Sequence, residues 1–319
     1  MYRIHKEHII YAMSSENKPC MEVEIGSRLI FETYDCFENQ IDSEDVVFQE
    51  LDWNRINPAT GPVYINGAEP GDILVVTIEK IKIAEKGVLT TGANLGVMGE
   101  ELHENTVKIV SVHNEHVLFS NELQIPINPM VGVIGTAPKE ESISCGTPHD
   151  HGGNMDCKEI KEGTILLLPV NVPGALLALG DLHAAMGDGE IGVSGVEVAG
   201  EVTVTVQLVK GKKWPLPMAI QRDKIMTIAS EKLLDDAANR AVRNMVTFLH
   251  EELAMSKADA TLLLSAAGNL KVCQVVDPLK TARMELGMQY LNRLGFSLCS
   301  FIPLFAGHKT PTSKFSESK

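Results

Sequence analysis

Two loops in the middle of the chain contain most of the residues that could do chemistry, and an uncharged run, Gly163–Val172, lies between them. The first loop reads P-H-D-H-G-G-N-M-D and the second reads G-D-L-H-A-A-M-G-D-G-E. Carboxylates and imidazoles can bind a divalent cation or transfer protons. Because the run between them has the branched apolar residues of a buried strand, the pattern predicts a metal or acid/base site at the rim of a sheet.

The first loop contains a turn with two adjacent glycines, the second of which is Gly153. His151 precedes the turn and Asp156 follows it, so two possible zinc ligands flank a backbone that a bound molecule can approach closely. We assign Gly153 and Asn154 of this turn to substrate binding. The spacing leaves open the alternative of an ordinary Asx-rich turn with a solvated histidine.

The second loop places Asp181 and His183 two residues apart, which puts both side chains on one face of an extended segment. They would therefore point at one position; the alternative is an aspartate that orients a surface histidine. Glu190 follows a G-D-G turn and is the candidate general base, which would take a proton from a metal-bound water and pass it on. Asp35, at the end of a predicted strand, is a candidate third ligand, although an aspartate there more commonly caps the strand edge.

A cysteine nucleophile is an alternative to metal chemistry, because Cys145 and Cys157 bracket the histidine-containing loop. A thiolate beside an imidazole can attack a carbonyl carbon. A buried structural thiol is the usual case, so the metal mechanism is favoured over the cysteine mechanism. The six cysteines are scattered without a C-x-x-C pair, which indicates reduced thiols in a cytoplasmic protein.

The composition excludes some classes of partner. The chain of 319 residues has 42 acidic residues against 28 Lys and Arg, for a formal net charge of −14, whereas nucleic acids and anionic membranes attract basic patches. No apolar run reaches the ~18 residues of a membrane span, and Met1–Met13 lacks the apolar core of a signal peptide. We therefore expect a protein that binds neither nucleic acid nor membrane.

The elements that must position these residues are predicted to be mostly strands. Short apolar segments separated by Gly and Pro turns favour a mainly β (α+β) fold, with a β-sandwich or barrel-like body over residues 1–224 that carries the site loops. Helical spacing then predicts a smaller C-terminal α/β part, residues 225–290, in which a helical pair (Ile225–Ser265) and a strand (Leu270–Val276) pack on the body. A variant of the capping box, Ser256-x-x-Asp259, is predicted to open the second helix. Residues 291–319 form a tail of unassigned fold, and we expect Lys309–Lys319 to be frayed.

Three further segments have interpretable patterns. The alternation over Gly195–Val209 predicts one strand with Glu197 and Glu201 on the same face. The polar segment Asp42–Asn57 is predicted to be irregular or to form a short helix. Leu95, Val97 and Met98 are the apolar residues expected to shape a small pocket.

Four longer motifs then point to a family. They are, in chain order, G-P-V-Y-I-N-G-A-E-P-G-D (Gly61–Asp72), H-G-G-N-M-D (His151–Asp156), G-D-L-H-A-A-M-G-D-G-E (Gly180–Glu190) and V-C-Q-V-V-D-P (Val272–Pro278). Together they resemble the acetamidase/formamidase family from about Val63 to Arg283. The resemblance implies a β-rich body with a smaller helical part, and hydrolysis of a short aliphatic amide, formamide or acetamide, to the acid and ammonia. The family turn usually has a single histidine before Gly-Gly-Asn, so the choice between His149 and His151 stays open.

The resemblance also implies a divalent metal, zinc before others, with a second ion such as Ca²⁺ as an option, and a homo-oligomer built on a dimer. The metal ligands it implies are Asp156, Asp181 and His183, and Asp35 is an additional candidate ligand. The catalytic residues it implies are Glu190, as general base, and His151, which is also an additional candidate ligand. Two other functions stay open: a non-enzymatic β-sandwich that binds a metal or small ligand through the same acids, and a cysteine-nucleophile amidase.

Overall fold

The structure is a computed structural model, and it describes residues 1–297. Within these residues most of the secondary structure is β-strand. The strands are β1 (Tyr2–Ile4), β2 (Ile9–Ile10), β3 (Ala12–Met13), β4 (Met21–Val23), β5 (Arg28–Thr33), β6 (Ala59–Ile65), β7 (Ile73–Ile83), β8 (Lys86–Thr91), β9 (Thr106–His113), β10 (His116–Leu118), β11 (Gln124–Pro126), β12 (Met130–Gly135), β13 (Ile143–Ser144), β14 (Gly152–Asn154), β15 (Ile165–Pro169), β16 (Leu177–His183), β17 (Glu197–Val198), β18 (Gly200–Val209), β19 (Met218–Ile220), β20 (Lys224–Glu231), β21 (Asn269–Gln274) and β22 (Lys280–Gly287). The α-helices are α1 (Leu234–Leu253), α2 (Lys257–Ala267) and α3 (Met288–Arg293), and two short 3-10 helices span Phe48–Glu50 and Trp53–Arg55.

Two large sheets form the body. The first has nine strands in the order β1-β5-β18-β7-β15-β19-β20-β22-β21, and the second has eleven, with β16 paired to β12, β6 and β17. A third, small sheet pairs β13 with β3. Neither large sheet closes into a barrel within residues 1–297. The mainly β prediction is confirmed, and of its two alternatives the sandwich describes the fold.

The apolar run between the two loops is a strand with both faces buried. In β15, Leu166 and Leu168 pack in the core between the two sheets, whereas Ile165 and Leu167 pack in a second core with helix α1. A strand covered on both faces has no polar side to display, which explains why this run lacks alternation. The result is three layers, in which the second sheet, the first sheet and the helices lie one above the other.

The predicted helical pair begins later than the sequence indicated. Lys224–Glu231 is strand β20, which pairs with β19 and β22, and helix α1 begins only at Leu234. The helical prediction was wrong there because a buried, apolar segment can be a strand or a helix. The predicted cap of α2 is present, since the Ser256 hydroxyl accepts a hydrogen bond from the Asp259 N–H at 3.0 Å.

The predicted boundary near residue 224 falls inside a continuous sheet, because β19 and β20 are neighbouring strands on either side of it. The division into a body and a smaller C-terminal part therefore stays a prediction. Helix α3 begins at Met288, before the tail, and extends into its first residues as far as Arg293. The frayed segment Lys309–Lys319 lies outside the described residues. Within residues 1–297 we find no helix with the length and apolar character needed to cross a bilayer.

The single strand predicted over Gly195–Val209 is interrupted. Glu197 belongs to β17 in the second sheet, whereas Glu201 belongs to β18 in the first. The chain passes from one sheet to the other near Gly200, where a Cβ atom would lie 2.3 Å from the Lys82 carbonyl oxygen and 2.9 Å from the Leu182 side chain. Glycine permits this close crossing, and it separates two glutamates that the alternation had placed on one face.

Candidate active site

A cavity lies where β16 ends, and acidic residues from several segments line it. The polar lining consists of Asn57, Thr90, Asn154, Asp156, Asp181, His183, Glu190, Glu197 and Asp277. The apolar lining consists of Cys36, Phe37, Phe48, Trp53, Ile56, Leu95 and Val193. The loops predicted to carry the chemistry, which are separated in sequence by β15, therefore meet in one place.

His183 lies at the centre of the polar group. Its Nε2 atom is 3.2 Å from Glu197 Oε2, 3.3 Å from Asp181 Oδ1, 3.7 Å from Asp156 Oδ1 and 3.9 Å from Glu190 Oε1. All five side chains are almost fully buried. One imidazole cannot neutralise four carboxylates, so the group carries an excess of negative charge.

The three acids Asp156, Asp181 and Glu190 share an unusual backbone conformation. Their φ angles are 40°, 54° and 46°, in the left-handed region that residues with a Cβ rarely adopt. Such a conformation costs ~1–3 kcal/mol for each residue and persists only where the surrounding structure enforces it. Here it turns the carboxylates into the cavity, at the ends of β14 and β16 and in the loop that follows.

The loop that carries Glu190 is held from behind by a buried arginine. Arg283, 1% exposed, donates hydrogen bonds to both oxygens of Asp188 at 2.7 and 3.0 Å. The Gly189 N–H also donates to the carbonyl oxygen of Cys273 at 2.8 Å. Since these contacts lie one and two residues before Glu190, they fix its position in the cavity.

Asp277 enters the cavity from the loop between β21 and β22. Its carboxylate accepts a hydrogen bond from Asn154 Nδ2 at 3.1 Å. The loop is organised by the buried amide of Gln274, which accepts from the N–H groups of Val276 (2.9 Å) and Asp277 (3.0 Å) and donates to the Leu279 carbonyl (2.6 Å).

The pKa values of the group reflect its burial and its shortage of positive charge. Burial, with repulsion from Asp181, raises the pKa of Asp156 to about 6 and that of Glu197 to about 8. Burial and repulsion from Asp156 raise the pKa of Glu190 well above its usual value. Burial opposes protonation of His183, but Glu197 and Asp181 outweigh it and raise the pKa of the imidazole well above its usual value.

Several buried atoms of the group have no hydrogen-bond partner among the described residues. They are Asp156 Oδ1, Asp181 Oδ1, His183 Nδ1 and Glu197 Oε2. Buried charges are stable when they are paired or coordinate a metal. Two subsets have ligand atoms within 4.8 Å of one another: Asp156, His183 and Glu190, and, beside them, Cys36, Asp181 and Glu197. The oxygen and nitrogen donors of this group fit a divalent cation.

Comparison with known proteins identifies the family. A model of the Acetamidase/Formamidase family matches residues 14–145 and 139–284. The chain belongs to this family. An acetamidase from Bacillus halodurans has a solved structure that is 49% identical in sequence, with a TM-score of 0.91 over 92% of this chain and 100% of that chain. A predicted acetamidase/formamidase from Thermoanaerobacter tengcongensis, also 49% identical, gives a TM-score of 0.91 over 93% of this chain and 98% of its own.

Curated relatives of the acetamidase/formamidase family are more distant in sequence. A formamidase from Methylophilus methylotrophus is 24% identical over 247 residues, which cover 59% of this chain and 61% of the relative. The chain spans about three-fifths of the length of the curated relatives it matches. The resemblance inferred from the four motifs is confirmed.

Not every residue that the sequence singled out lies in the cavity of this acetamidase/formamidase family member. His151 and Gly153 are buried in and beside β14, and neither is among the described residues that line the cavity. Both ring nitrogens of His151 are buried without a hydrogen-bond partner in residues 1–297, and burial, with repulsion from His149, lowers its pKa to about 4. The roles of His151 and Gly153 stay predictions.

Asp35 lies beside the cavity in a capping position. Its Oδ1 atom accepts hydrogen bonds from the N–H groups of Phe37 (3.0 Å) and Asn39 (2.7 Å). The next residue, Cys36, lines the cavity instead. Asp35 therefore caps the turn that follows β5, and a ligand role for Asp35 stays a prediction.

Neither cysteine of the nucleophile hypothesis is among the described residues that line the cavity. Cys145 is fully buried in a small apolar cluster, and burial raises the pKa of its thiol to about 12. Cys157 is fully buried behind the site, near Cys273 and Arg283. Of the three residues predicted to shape the pocket, Leu95 lines it, whereas Val97 and Met98 are exposed at the surface.

Glu197, Asp277 and Cys36 are the site residues that the sequence analysis did not select. Asp277 lies in the V-C-Q-V-V-D-P motif, directly after a predicted strand, which is the same signal that selected other rim carboxylates. Glu197 gave no such signal, because the alternation around it is typical of an ordinary half-exposed strand. Cys36 follows Asp35 and was treated only as one of the scattered thiols.

Proposed function

We propose that this chain is a metal-dependent amidohydrolase that cleaves a small carboxylic amide to the acid and ammonia. The proposal rests mainly on one observation: four carboxylates lie close to the His183 imidazole in the same cavity. These are Asp156, Asp181, Glu190 and Glu197. The amide class comes from relatives named formamidase and acetamidase. A small primary amide, such as formamide or acetamide, is the substrate expected from the sequence.

Asp156, Asp181 and His183 would hold the cation, with Glu197 as a further carboxylate of the same group. When bound, a divalent cation supplies a Lewis acid that polarises an amide carbonyl and lowers the pKa of a neighbouring water. The imidazole in the group favours zinc, whereas calcium takes oxygen ligands. The unpartnered atoms of these side chains support this assignment.

Glu190 is assigned as the general base. Its carboxylate lies within 4.8 Å of the ligand atoms of Asp156 and His183, so it can reach a water held at that point. It takes the proton of the attacking water and delivers it to the leaving nitrogen, which departs as ammonia. The Arg283–Asp188 contacts behind the loop keep Glu190 in place during both transfers.

Asn154 is assigned to orient the amide group. Its Nδ2 atom donates to Asp277, while its buried Oδ1 atom has no partner among residues 1–297. A free amide oxygen that lines the cavity accepts a hydrogen bond from a substrate N–H group. This would direct the substrate nitrogen towards the acidic side of the cavity.

The replacement Glu190→Gln tests the mechanism. We expect turnover of the zinc-supplied protein to fall at least ~100-fold, because proton transfer by a positioned side chain contributes that much, while zinc content measured by metal analysis is unchanged. The exposed glutamate Glu122, replaced with Gln, serves as the control and should leave turnover unchanged. Near-normal ammonia release from Glu190→Gln would refute the assigned role.

Simple measurements distinguish this function from the two alternative functions that the sequence left open. A binding protein would release no ammonia from any short amide, and a cysteine amidase would lose activity on thiol alkylation but not on chelation. The positions of Cys145 and Cys157 outside the cavity lining argue against the second. A dimer-based homo-oligomer and a cytoplasmic location stay predictions from the sequence.

A further inference from the structure

The cavity has an apolar wall that the proposed chemistry does not use. Besides the acidic group, the cavity is lined by the apolar residues Phe37, Phe48, Trp53, Ile56, Leu95 and Val193, which are called the apolar wall below. A site that had to bind only the polar amide group would not need such a wall.

The aromatic part of this wall is built from three edge-to-face rings. The ring centroids of Phe37 and Phe48 are 6.4 Å apart, and those of Phe48 and Trp53 are 5.0 Å apart. Phe37 and Phe48 are buried in a cluster with Ile41 and other apolar residues, whereas Trp53 is 49% exposed at the mouth of the cavity. Such edge-to-face contacts stabilise fixed ring positions.

Hydrogen bonds tie down the segment that carries Phe48 and Trp53. Gln40 and Asp52 exchange two hydrogen bonds: the Asp52 N–H donates to Gln40 Oε1 at 2.9 Å, and Gln40 Nε2 donates to the Asp52 carbonyl oxygen at 3.3 Å. The Asn57 N–H donates to the Cys36 carbonyl oxygen at 2.7 Å. The wall is therefore held in place before any substrate binds, which reduces the entropy lost on binding.

We propose that this wall binds the acyl chain of the substrate, and that the preferred substrate is a primary amide with an apolar acyl group larger than acetyl. The proposal rests on the proposed amide hydrolysis. The carbonyl and the NH₂ group of a primary amide need polar partners, and these lie on the acidic side with Asn154. The acyl chain is the part of the molecule that is left to contact the aromatic rings, and formamide has no such chain.

The test compares the zinc-supplied full chain on formamide, acetamide, propionamide, butyramide and benzamide, with ammonia release as the measurement. One methylene in an apolar pocket changes kcat/KM by ~10–200-fold. We therefore expect kcat/KM to rise at least about tenfold from acetamide to propionamide and to rise again to butyramide. A preference for formamide or acetamide would overturn the proposal while leaving amide hydrolysis intact.

A substitution of Trp53 tests whether the apolar wall causes the preference for longer acyl chains. Trp53→Ala should lower kcat/KM for butyramide about tenfold and change the value for formamide little, and Trp53→Phe should restore part of the loss. Val47, equally exposed at 49% and absent from the described cavity lining, provides the matched control as Val47→Ala. A chain-length preference that Trp53→Ala leaves unchanged would overturn the assignment of the wall. Absence of ammonia from every amide would overturn the proposed function and this inference together.

Discussion

His183 is the one imidazole among four buried carboxylates, and this imbalance dominates the chemistry of the cavity. Like charges that are held close together in a buried site either take up protons or bind a cation. The raised pKa values of Asp156 and Glu197, caused by burial and by repulsion from Asp181, correspond to the first response. A divalent cation would replace these protons, which is how metal binding is coupled to protonation.

Glu197 and Glu201 provide a matched pair for testing the cation site. Glu197 contacts His183, whereas Glu201 lies in the other sheet and pairs with Arg3 and Lys82. We expect Glu197→Gln to weaken zinc affinity by ~10–100-fold, the usual effect of losing a group that supports a metal ligand, and Glu201→Gln to leave it unchanged. Zinc titration with a competing chelator measures both, and equal affinities for the two variants would contradict the site.

At the residue scale, the sequence identified site residues only where several signals coincided. Asp156, Asp181, His183 and Glu190 stand in loops rich in Gly and acids, and the structure brings all four together. Glu197 could not be selected, because its partner in the cavity becomes a neighbour only through the pairing of β17 with β16. Local spacing contains no information on such a contact.

At the scale of elements, strand β12 makes room for Asp181 of β16 and for Asp156, which follows β14. Val131 and Val133 of β12 pair with Leu182 and Gly180, so Gly132 lies beside Asp181. A Cβ atom on Gly132 would lie 2.5 Å from Asp156 Oδ1 and 2.7 Å from Asp181 Oδ2. The absence of a side chain at this position is what lets two carboxylates approach each other.

The replacement Gly132→Ala should therefore disable the site. We expect the added methyl group to displace both carboxylates, to remove detectable zinc binding and to destabilise the fold by ~1–3 kcal/mol, as overpacking of a core does. The control is Gly187→Ala, where a Cβ atom has no neighbour within 4 Å. Isothermal titration with zinc and urea unfolding would measure the two effects, and normal zinc binding by Gly132→Ala would contradict the prediction.

Strands and helices could be predicted from the sequence where the spacing of apolar residues agreed with the positions of turn residues such as Gly and Pro. Strand β15 follows a Gly-containing turn and was expected, since a turn followed by a branched apolar run has few other solutions. Strand β20 was assigned to a helix, because only its pairing with β19 and β22 decides between the two conformations. Tertiary pairing outweighs local propensity in such segments.

At the scale of the whole molecule, the cavity joins the two large sheets. Asp181, His183 and Glu197 belong to the second sheet, whereas Asp277 follows β21 of the first. Repulsion among these acids acts across the junction between the sheets. A cation that neutralises it would stabilise the fold as a whole and not only one loop.

Thermal unfolding tests this coupling. At a free zinc concentration of one hundred times Kd, binding stabilises the folded state by ~2.7 kcal/mol, which should raise Tm by roughly 3–5 °C for a chain of this size. Addition of excess chelator should reverse the shift, and the Glu197→Gln variant should show a smaller one at the same zinc concentration. An unchanged Tm with zinc and with other divalent cations would contradict a cation site in the cavity.

The position of Asp277 near the end of the described chain has a consequence for synthesis. The ribosome makes the chain from its N-terminus, so Cys36 emerges well before Asp277 and before the two strands, β21 and β22, that hold the Glu190 loop. A nascent chain therefore contains Asp156 and Asp181 before the groups that complete the cavity have been made. We therefore expect a cation to bind the complete site only after the segment that contains Asp277 has been made.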